Sequence, residues 1–486
     1  MFLGIDVGTS GIKVLLVDEN QQEVASHTEG LTVSRLHDGW SEQNPEDWWT
    51  ATCRGIDVLK SRVPDAVSAI RGIGLSGQQH GAVLLDSAGD VLRPCILWND
   101  TRAEAECVLF EERFPGSREI TGNVAMPGFT APKILWVARH EPEIFERLQH
   151  VLLPKAWLRY KMTGQMIEDM SDASGTLWLD VGRREWSVEA LKATGLTRAN
   201  MPELREGTAA AGYLNDELTK RWGMAASPVF AGSAGDNAAG AVGLGAIRNG
   251  DAFISLGTSG VVWVTTDVFR PEHQSAIHAF CHAVPETWHQ MGVTLSAAAS
   301  LAWWARTCGM KEVDLLAELP EKPAHPSPVL FAPYLSGERT PHNDGTIRGA
   351  FIGLSQDTSR AELTQAVLEG VAFSFRDALE GLKVSGSSIQ EADVIGGGSR
   401  SPFWISILAS VLNLRLHCLA HGEHGGAFGA ARLARIAATG ESVQSVCTSP
   451  ERVSATDPDS HLQNEYAAAY RRYRKVYPAL RNIQDA

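Results

Sequence analysis

The chain opens with an apolar stretch ending in Asp6, passes through Gly8-Thr9-Ser10-Gly11, and returns along a segment where Lys13, Leu15 and Val17 alternate with Val14 and Leu16. That pattern predicts a strand, a tight hairpin and a second strand. It recurs about half a chain later, where Ser255-Leu256 leads through Gly257-Thr258-Ser259-Gly260 into the apolar-rich segment 261–267. Repetition at that distance predicts two similar domains facing each other. Helix starts are equally marked. Asn44 as N-cap, Pro45 at the first helical position and Glu46 and Asp47 in the first turn predict a helix burying Trp48, Trp49, Ile56 and Leu59. Ser359-Arg360-Ala361-Glu362 is a capping box ahead of Leu363, Ala366, Val367, Gly370 and Ser374 at helical spacing. Val394-Ile395 reads as a strand, Gly396-Gly397-Gly398 as a turn, and Ser401-Pro402 as the next helix start. Residues 121–245 alternate helices with short strands, so the class is α/β.

Length and composition narrow this picture. A chain of 486 residues exceeds the roughly 250 to 300 residues that one core serves, and the predicted domains are 1–245 and 246–486. The formal net charge of -14 argues against nucleic acid or an anionic membrane as partner, since either asks for a basic face. Seven cysteines, an odd number without a Cys-x-x-Cys pair, suit a reducing cytoplasm. The N-terminus lacks a basic segment followed by an apolar core, and no apolar run approaches the ~18 residues of a membrane span. The expectation is a soluble cytoplasmic protein.

The glycine hairpins carry the first candidate chemistry. Their glycines let the backbone approach an anion, successive N–H groups form a concave donor surface, and the Thr9, Ser10, Thr258 and Ser259 hydroxyls add donors. Two such hairpins predict a shared nucleotide cleft, with Asp6 placed to hold magnesium or its water. Gly72-Ile73-Gly74-Leu75-Ser76-Gly77 matches a dinucleotide fingerprint by letter. A strand, not a helix, is expected to follow, which rejects that reading. Gln78, Gln79 and His80 lie between apolar runs; His80 reads either as a satisfied core histidine or as a contact to a polar small molecule. Trp98, Asn99 and Asp100 end a predicted strand as candidates for holding a sugar, with a packing role for Trp98 as the alternative. In residues 228–240, Asp236-Asn237 opens a helix of small residues, so Asp236 is either a helix cap or a carboxylate facing the cleft. The turn from Gly396 through Gly397 to Ser401 is the expected adenosine position. His417, Cys418, His421 and His424 fit no usual zinc spacing and predict a polar loop before a Gly425-Gly426 turn. No Gly-x-x-x-x-Gly-Lys-Ser/Thr occurs.

Together these stretches resemble the FGGY family of carbohydrate kinases, over essentially the whole chain. Residues 126–136 resemble its first signature and residues 349–369 its second. Ser34-Arg35, residues 40–43, 97–100, 126–133 and 334–342 are similar to the branch of that family acting on D-xylulose. The resemblance implies two ribonuclease H-like domains of the actin, hexokinase and Hsp70 superfamily flanking a nucleotide and sugar cleft. It implies ATP and Mg2+ as cofactors, Asp236 as catalytic base and Asp6 at the metal and phosphate. Gln79, His80, Trp98 and Asn237 would contact the sugar. Thr9, Ser10, Gly257, Thr258, Ser259, Gly337, Gly397 and Ser401 would contact the nucleotide, and the assembly would be a homodimer. The sequence departs from the D-xylulose branch at Gln79, where many members carry methionine; glutamine adds a donor and an acceptor beside the substrate. The remaining readings are a kinase for another polyol or ketose such as ribulose or gluconate, and a partner-regulating ATPase.

Overall fold

The structure, a computed structural model, describes residues 1–420 and 425–484. In the first half, strands β1 (Phe2–Val7) and β2 (Gly11–Val17) form the expected antiparallel hairpin, in register from Phe2↔Val17 to Val7↔Ile12. The Gly8 N–H donates to the Gly11 carbonyl (3.1 Å) across its turn. β3 (Glu23–Gly30) extends the sheet beyond β2, and helix α1 (Pro45–Arg62) packs across it. The Asn44 side chain caps α1 as expected, and Trp48, Ile56 and Leu59 are buried, whereas Trp49 is only half-buried, with the Lys161 ammonium 5.9 Å from its ring.

β4 (Gly72–Gly77) lies parallel to β1 and sets Ser76 beside Asp6. Helices α2 (Thr130–His140), α3 (Pro154–Thr163) and α4 (Met170–Ser174) follow. The half closes with strands β5 (Ala210–Tyr213), β6 (Val229–Ala231) and β7 (Ala234–Gly235), and with helix α5 (Asp236–Leu244). The sheet order is β5-β6-β4-β1-β2-β3, with β7 also paired to β4.

The second half repeats the plan. β8 (Ala252–Leu256) and β9 (Gly260–Thr266) are the second hairpin; β10 (His278–Cys281) and β11 (Trp288–Thr294) continue its antiparallel side. The long helix α6 (Arg360–Val384) begins at the predicted capping box, with Ser359 and Glu362 bonded reciprocally. β12 (Glu391–Ile395) runs parallel to β8, as β4 does to β1. Ser401 caps α7 (Pro402–Leu412), and β13 (Arg415–Leu419) precedes helix α8 (Gly425–Thr439) and β14 (Arg452–Thr456). The order is β10-β11-β9-β8-β12-β13-β14. Both sheets are thus a mixed hairpin-plus-parallel arrangement of the ribonuclease H type.

Further departures lie late in the chain: His417 and Cys418, expected in a polar loop, lie on strand β13. Gly425 and Gly426 begin α8 instead of forming a turn, and at Gly426 a Cβ would run into Ser76 Oγ on the first sheet. His421 and His424 lie outside the described residues. Moreover α8, late in the chain, lies on the first half's sheet. A Cβ on Gly4 or Gly74 would sit inside the carbonyls of Ala427 or Ala430, and one on Gly429 inside that of Ala239. Ala427, Phe428, Ala431 and Ala434 pack there on Phe2, Leu15 and Val17. A further core joins both halves, running from Ala239 and Val242 to Phe253, Trp263 and Phe280.

Candidate active site

Parallel pairing of β1 with β4 fixes the first part of the site. Asp6 and Ser76 are register partners, and Ser76 Oγ donates to Asp6 Oδ1 (2.7 Å). Oδ2 of Asp6 has no protein donor among the described residues. A Cβ on Gly426 would meet Asp6 Oδ1 at 2.9 Å, so the N-terminal end of α8, the positive end of its dipole, abuts this carboxylate. Burial raises the Asp6 pKa; the Ser76 hydrogen bond and Lys13 oppose the rise.

Asp236 is the first residue of α5. The Asn237 backbone N–H and Nδ2 both donate to its Oδ1 (2.7 and 2.9 Å), leaving Oδ2 without a partner among the described residues. Burial, and then the negative charge of Asp6, push its pKa up to about 7, against those two hydrogen bonds. The turn carrying it is held from several sides. Ser233, at φ 77°, accepts from the Leu75 N–H (2.9 Å) and donates to the Ala231 carbonyl (3.0 Å). Arg159 Nη2 donates to the carbonyls of Ala231 (3.0 Å) and Gly232. The Gly235 N–H donates to Ser171 Oγ (3.1 Å), whose own hydroxyl donates to Asp169 Oδ2 (2.5 Å).

Asp169 belongs to a fully buried ionic group in which Lys155 pairs with Glu168, with Asp169 Oδ1 (2.7 Å) and with Asp172 Oδ2 (3.2 Å). The three carboxylates have ligand-like spacing, but the ammonium occupies their centre. In the sequence Lys155, Arg159, Glu168, Asp169 and Asp172 look like ordinary solvated charges, three on helices and two on a short strand. The signal present was their density within eighteen positions of one another.

Gln79 Nε2 donates to the Ser171 carbonyl (3.2 Å), and its side chain fills the place where a Cβ on Gly235 would lie, directly beside Asp236. His80, at φ 69°, sets Nδ1 2.6 Å from the Gly175 carbonyl and packs its ring on Phe129 (4.5 Å). Its carbonyl accepts from Thr130 Oγ1 (3.1 Å) and Lys133 Nζ (2.9 Å), both from the first signature. Trp98, 41% exposed, donates its indole N–H to Thr9 Oγ1 (2.9 Å). Thr9 Oγ1 in turn donates to Gln78 Oε1 (2.9 Å), so its proton is already engaged, while Ser10 is exposed at the hairpin tip. Asp100 does not have the free oxygens of a sugar ligand. It is buried, its carboxylate taken by Arg102 (2.7 Å) and the Ser41 N–H (2.6 Å).

On the second half, Thr258 and Ser259 are exposed at the hairpin tip beyond Gly257. Gly396 packs against the same hairpin, where a Cβ would meet the Leu256 carbonyl at 2.7 Å. Gly397 faces open space, and Ser401 Oγ accepts from the Trp404 N–H (3.3 Å) as a helix cap. Gly337, at φ 81°, is a turn glycine against Asp344 and Gly345. The next residue, Glu338, accepts from Thr294 Oγ1 (2.7 Å), across the strand pair from Gly260.

The first half of this arrangement, residues 1–243, matches the N-terminal domain of the FGGY family of carbohydrate kinases, and residues 252–438 match the family's C-terminal domain. The chain belongs to the FGGY family of carbohydrate kinases. This FGGY kinase is 48% identical to a xylulose kinase of Escherichia coli K12, with 99% of each chain covered. It is 46% identical to a xylulose kinase of Klebsiella pneumoniae over all of both chains. Among solved structures, a xyloylose kinase from Brucella ovis is similar at 51% identity and a TM-score of 0.97, again over 99% of each chain. No helix of the described residues in the FGGY kinase is long and apolar enough to cross a membrane.

Proposed function

We propose that this FGGY kinase transfers the γ-phosphoryl of MgATP to the C5 hydroxyl of D-xylulose, giving D-xylulose 5-phosphate. The observation that carries the reading is Asp236: one oxygen held by Asn237, the other open, and a proton affinity near neutrality. The similarity to xylulose kinases over the whole chain supports the choice of sugar.

In this reaction Asp236 Oδ2 accepts the hydroxyl proton as the C5 oxygen bonds to the γ-phosphorus and the bond to the β,γ-bridging oxygen breaks, releasing ADP. Positioning and charge stabilisation supply most of the rate in such transfers. Gln79, His80, Trp98 and Asn237 are the sugar-side residues. The backbone of the Thr9-Ser10 turn and the Gly257-Thr258-Ser259 turn meet the phosphates, and Gly337, Gly397 and Ser401 bound the adenosine side. The open oxygens of Asp6 and Asp236 are hard donors of the kind that suit magnesium, and Asp6 would hold it. The ion supplies neutralisation of the phosphate charge when bound. The domains at 1–245 and 246–486, the cytoplasm as compartment and a homodimer as assembly belong to the same proposal. All seven cysteines being free supports the reducing compartment.

Coupled ADP release with MgATP tests it against D-xylulose, D-ribulose, L-ribulose, D-gluconate, glycerol and no sugar. Selective turnover of D-xylulose is expected. A preference for another sugar moves the specificity and points to Gln79, and sugar-independent hydrolysis alone sinks the kinase reading.

A further inference from the structure

Beside His80 the cleft contains groups from the second half that the phosphoryl-transfer chemistry leaves unused. Phe129, against which His80 packs, lies 5.7 Å from the ring of His278, the first residue of β10. His278 is 3% exposed and stacks on Phe280, with centroids 5.5 Å apart. Both histidines have their tautomer fixed by what Nδ1 faces. For His80 this is the Gly175 carbonyl, which only accepts, so Nδ1 carries the proton. For His278 it is Asn123 Oδ1, at 2.9 Å. The Asn123 amide nitrogen already donates to the Thr121 and Ala279 carbonyls (2.7 and 3.1 Å), so that oxygen is the acceptor and His278 Nδ1 again donates. Each Nε2 is therefore a bare lone pair, and no described residue donates to either. Burial holds both rings below the ordinary histidine range, His80 at about 3, so they remain neutral acceptors.

Arg339 supplies the matching donors. Its loop is pinned beside β10: the Thr340 N–H donates to the Val293 carbonyl (3.0 Å), the Val293 N–H to Thr340 Oγ1 (3.0 Å), and Thr340 Oγ1 to the Ala276 carbonyl (3.2 Å), two residues before His278. The Arg339 guanidinium makes no hydrogen bond or ion pair with any described residue. Its charge nonetheless acts on both His80 and His278, whereas Asp236 is acted on by Asp6. Contacts run from Gly235, beside Asp236, through Gln79 to the neighbouring His80, and from its ring through Phe129 to His278, with the Arg339 loop tied to Ala276 two residues before His278.

We infer that His278 and Arg339 form a subsite, contributed by the second half, for the end of the sugar remote from phosphoryl transfer. An open-chain ketose with its C5 hydroxyl at Asp236 carries its C2 carbonyl and C1 hydroxyl to this end. Arg339 donates to those oxygens, and the two Nε2 atoms accept from hydroxyls. A site built to hydrogen-bond such groups rejects acceptors that lack them, because its buried polar atoms are then left unpaired. This assignment rests on D-xylulose being the acceptor.

The test uses the full-length enzyme. Butanedione labels accessible arginines, and peptide mass mapping is expected to show D-xylulose alone protecting Arg339 at least fivefold, with MgADP giving no such protection. Arg339→Met is expected to raise KM for D-xylulose at least tenfold with kcat within threefold, and Arg339→Lys to recover part of that loss. Equal labelling with and without sugar, or an unchanged KM, overturns the subsite. If Arg339→Met no longer gains thermal stability from MgADP, its fold is compromised and labelling of the unmodified enzyme decides. Absence of D-xylulose turnover in the wild type defeats the substrate reading instead, and labelling repeated with the sugar that does turn over then decides the subsite.

Discussion

The two oxygens of Asp236 differ in a way that suits the proposed role of base: Asn237 holds Oδ1 in place while Oδ2 stays open. Asp236→Ala is expected to lower kcat by a factor on the order of 10³, within the usual range for loss of a general base, while D-xylulose binding stays measurable by calorimetry. Retention of most turnover would remove Asp236 from the mechanism. Its pH dependence follows from the raised pKa. Below about 7 the carboxyl is protonated and cannot accept a proton; above, it is ionised. The kcat/KM for D-xylulose should therefore rise between pH 6 and 8 with a midpoint near 7, and that limb should vanish in Asp236→Ala.

At the level of elements, the turn preceding α5 is fixed by a buried salt network reached through Ser171 and Arg159. Lys155→Met leaves Glu168, Asp169 and Asp172 buried with only Arg159 to balance them. Breaking a buried ion network in this way costs about 3 to 5 kcal/mol, which a large fall in the denaturant midpoint would register. The helix on the first sheet is as demanding. Gly74→Ala places a methyl against the Ala430 carbonyl, so α8 must lift, and a loss of soluble protein or a fall in melting temperature of several degrees is expected.

These elements also mark what the sequence could and could not reveal. The hairpins, the Asn44 and Ser359 caps and the Asp236-Asn237 helix start were legible because they rest on contacts within a few residues. The docking of α8 on β1 and β4 depends on pairs more than 350 positions apart, and Gly425-Gly426 read as a turn because two glycines usually mark one. Lys155, Asp169 and Asp172 escaped notice because charge gives no sign of burial until its partners are known. Asp100 was misplaced for the same reason: its partner Arg102 is two residues away, but burial, not spacing, makes the pair exclusive.

For the molecule as a whole, the two halves share chemistry as well as architecture. The hairpins proposed to hold phosphate come one from each half, and the proposed base and the His80 proposed to meet the sugar lie on the first. Closing the cleft over both substrates would exclude water as a competing acceptor. One core spans both halves, which ties their unfolding together. The position of α8 has a further consequence during synthesis. A nascent chain leaving the ribosome presents β1, β2 and β4 early, yet the layer that covers one face of their sheet emerges only with residues 425–439. Until then the first half has that face bare. A fragment ending at residue 245 should aggregate when expressed alone and regain solubility when a separately expressed 246–486 piece is supplied in the same cell.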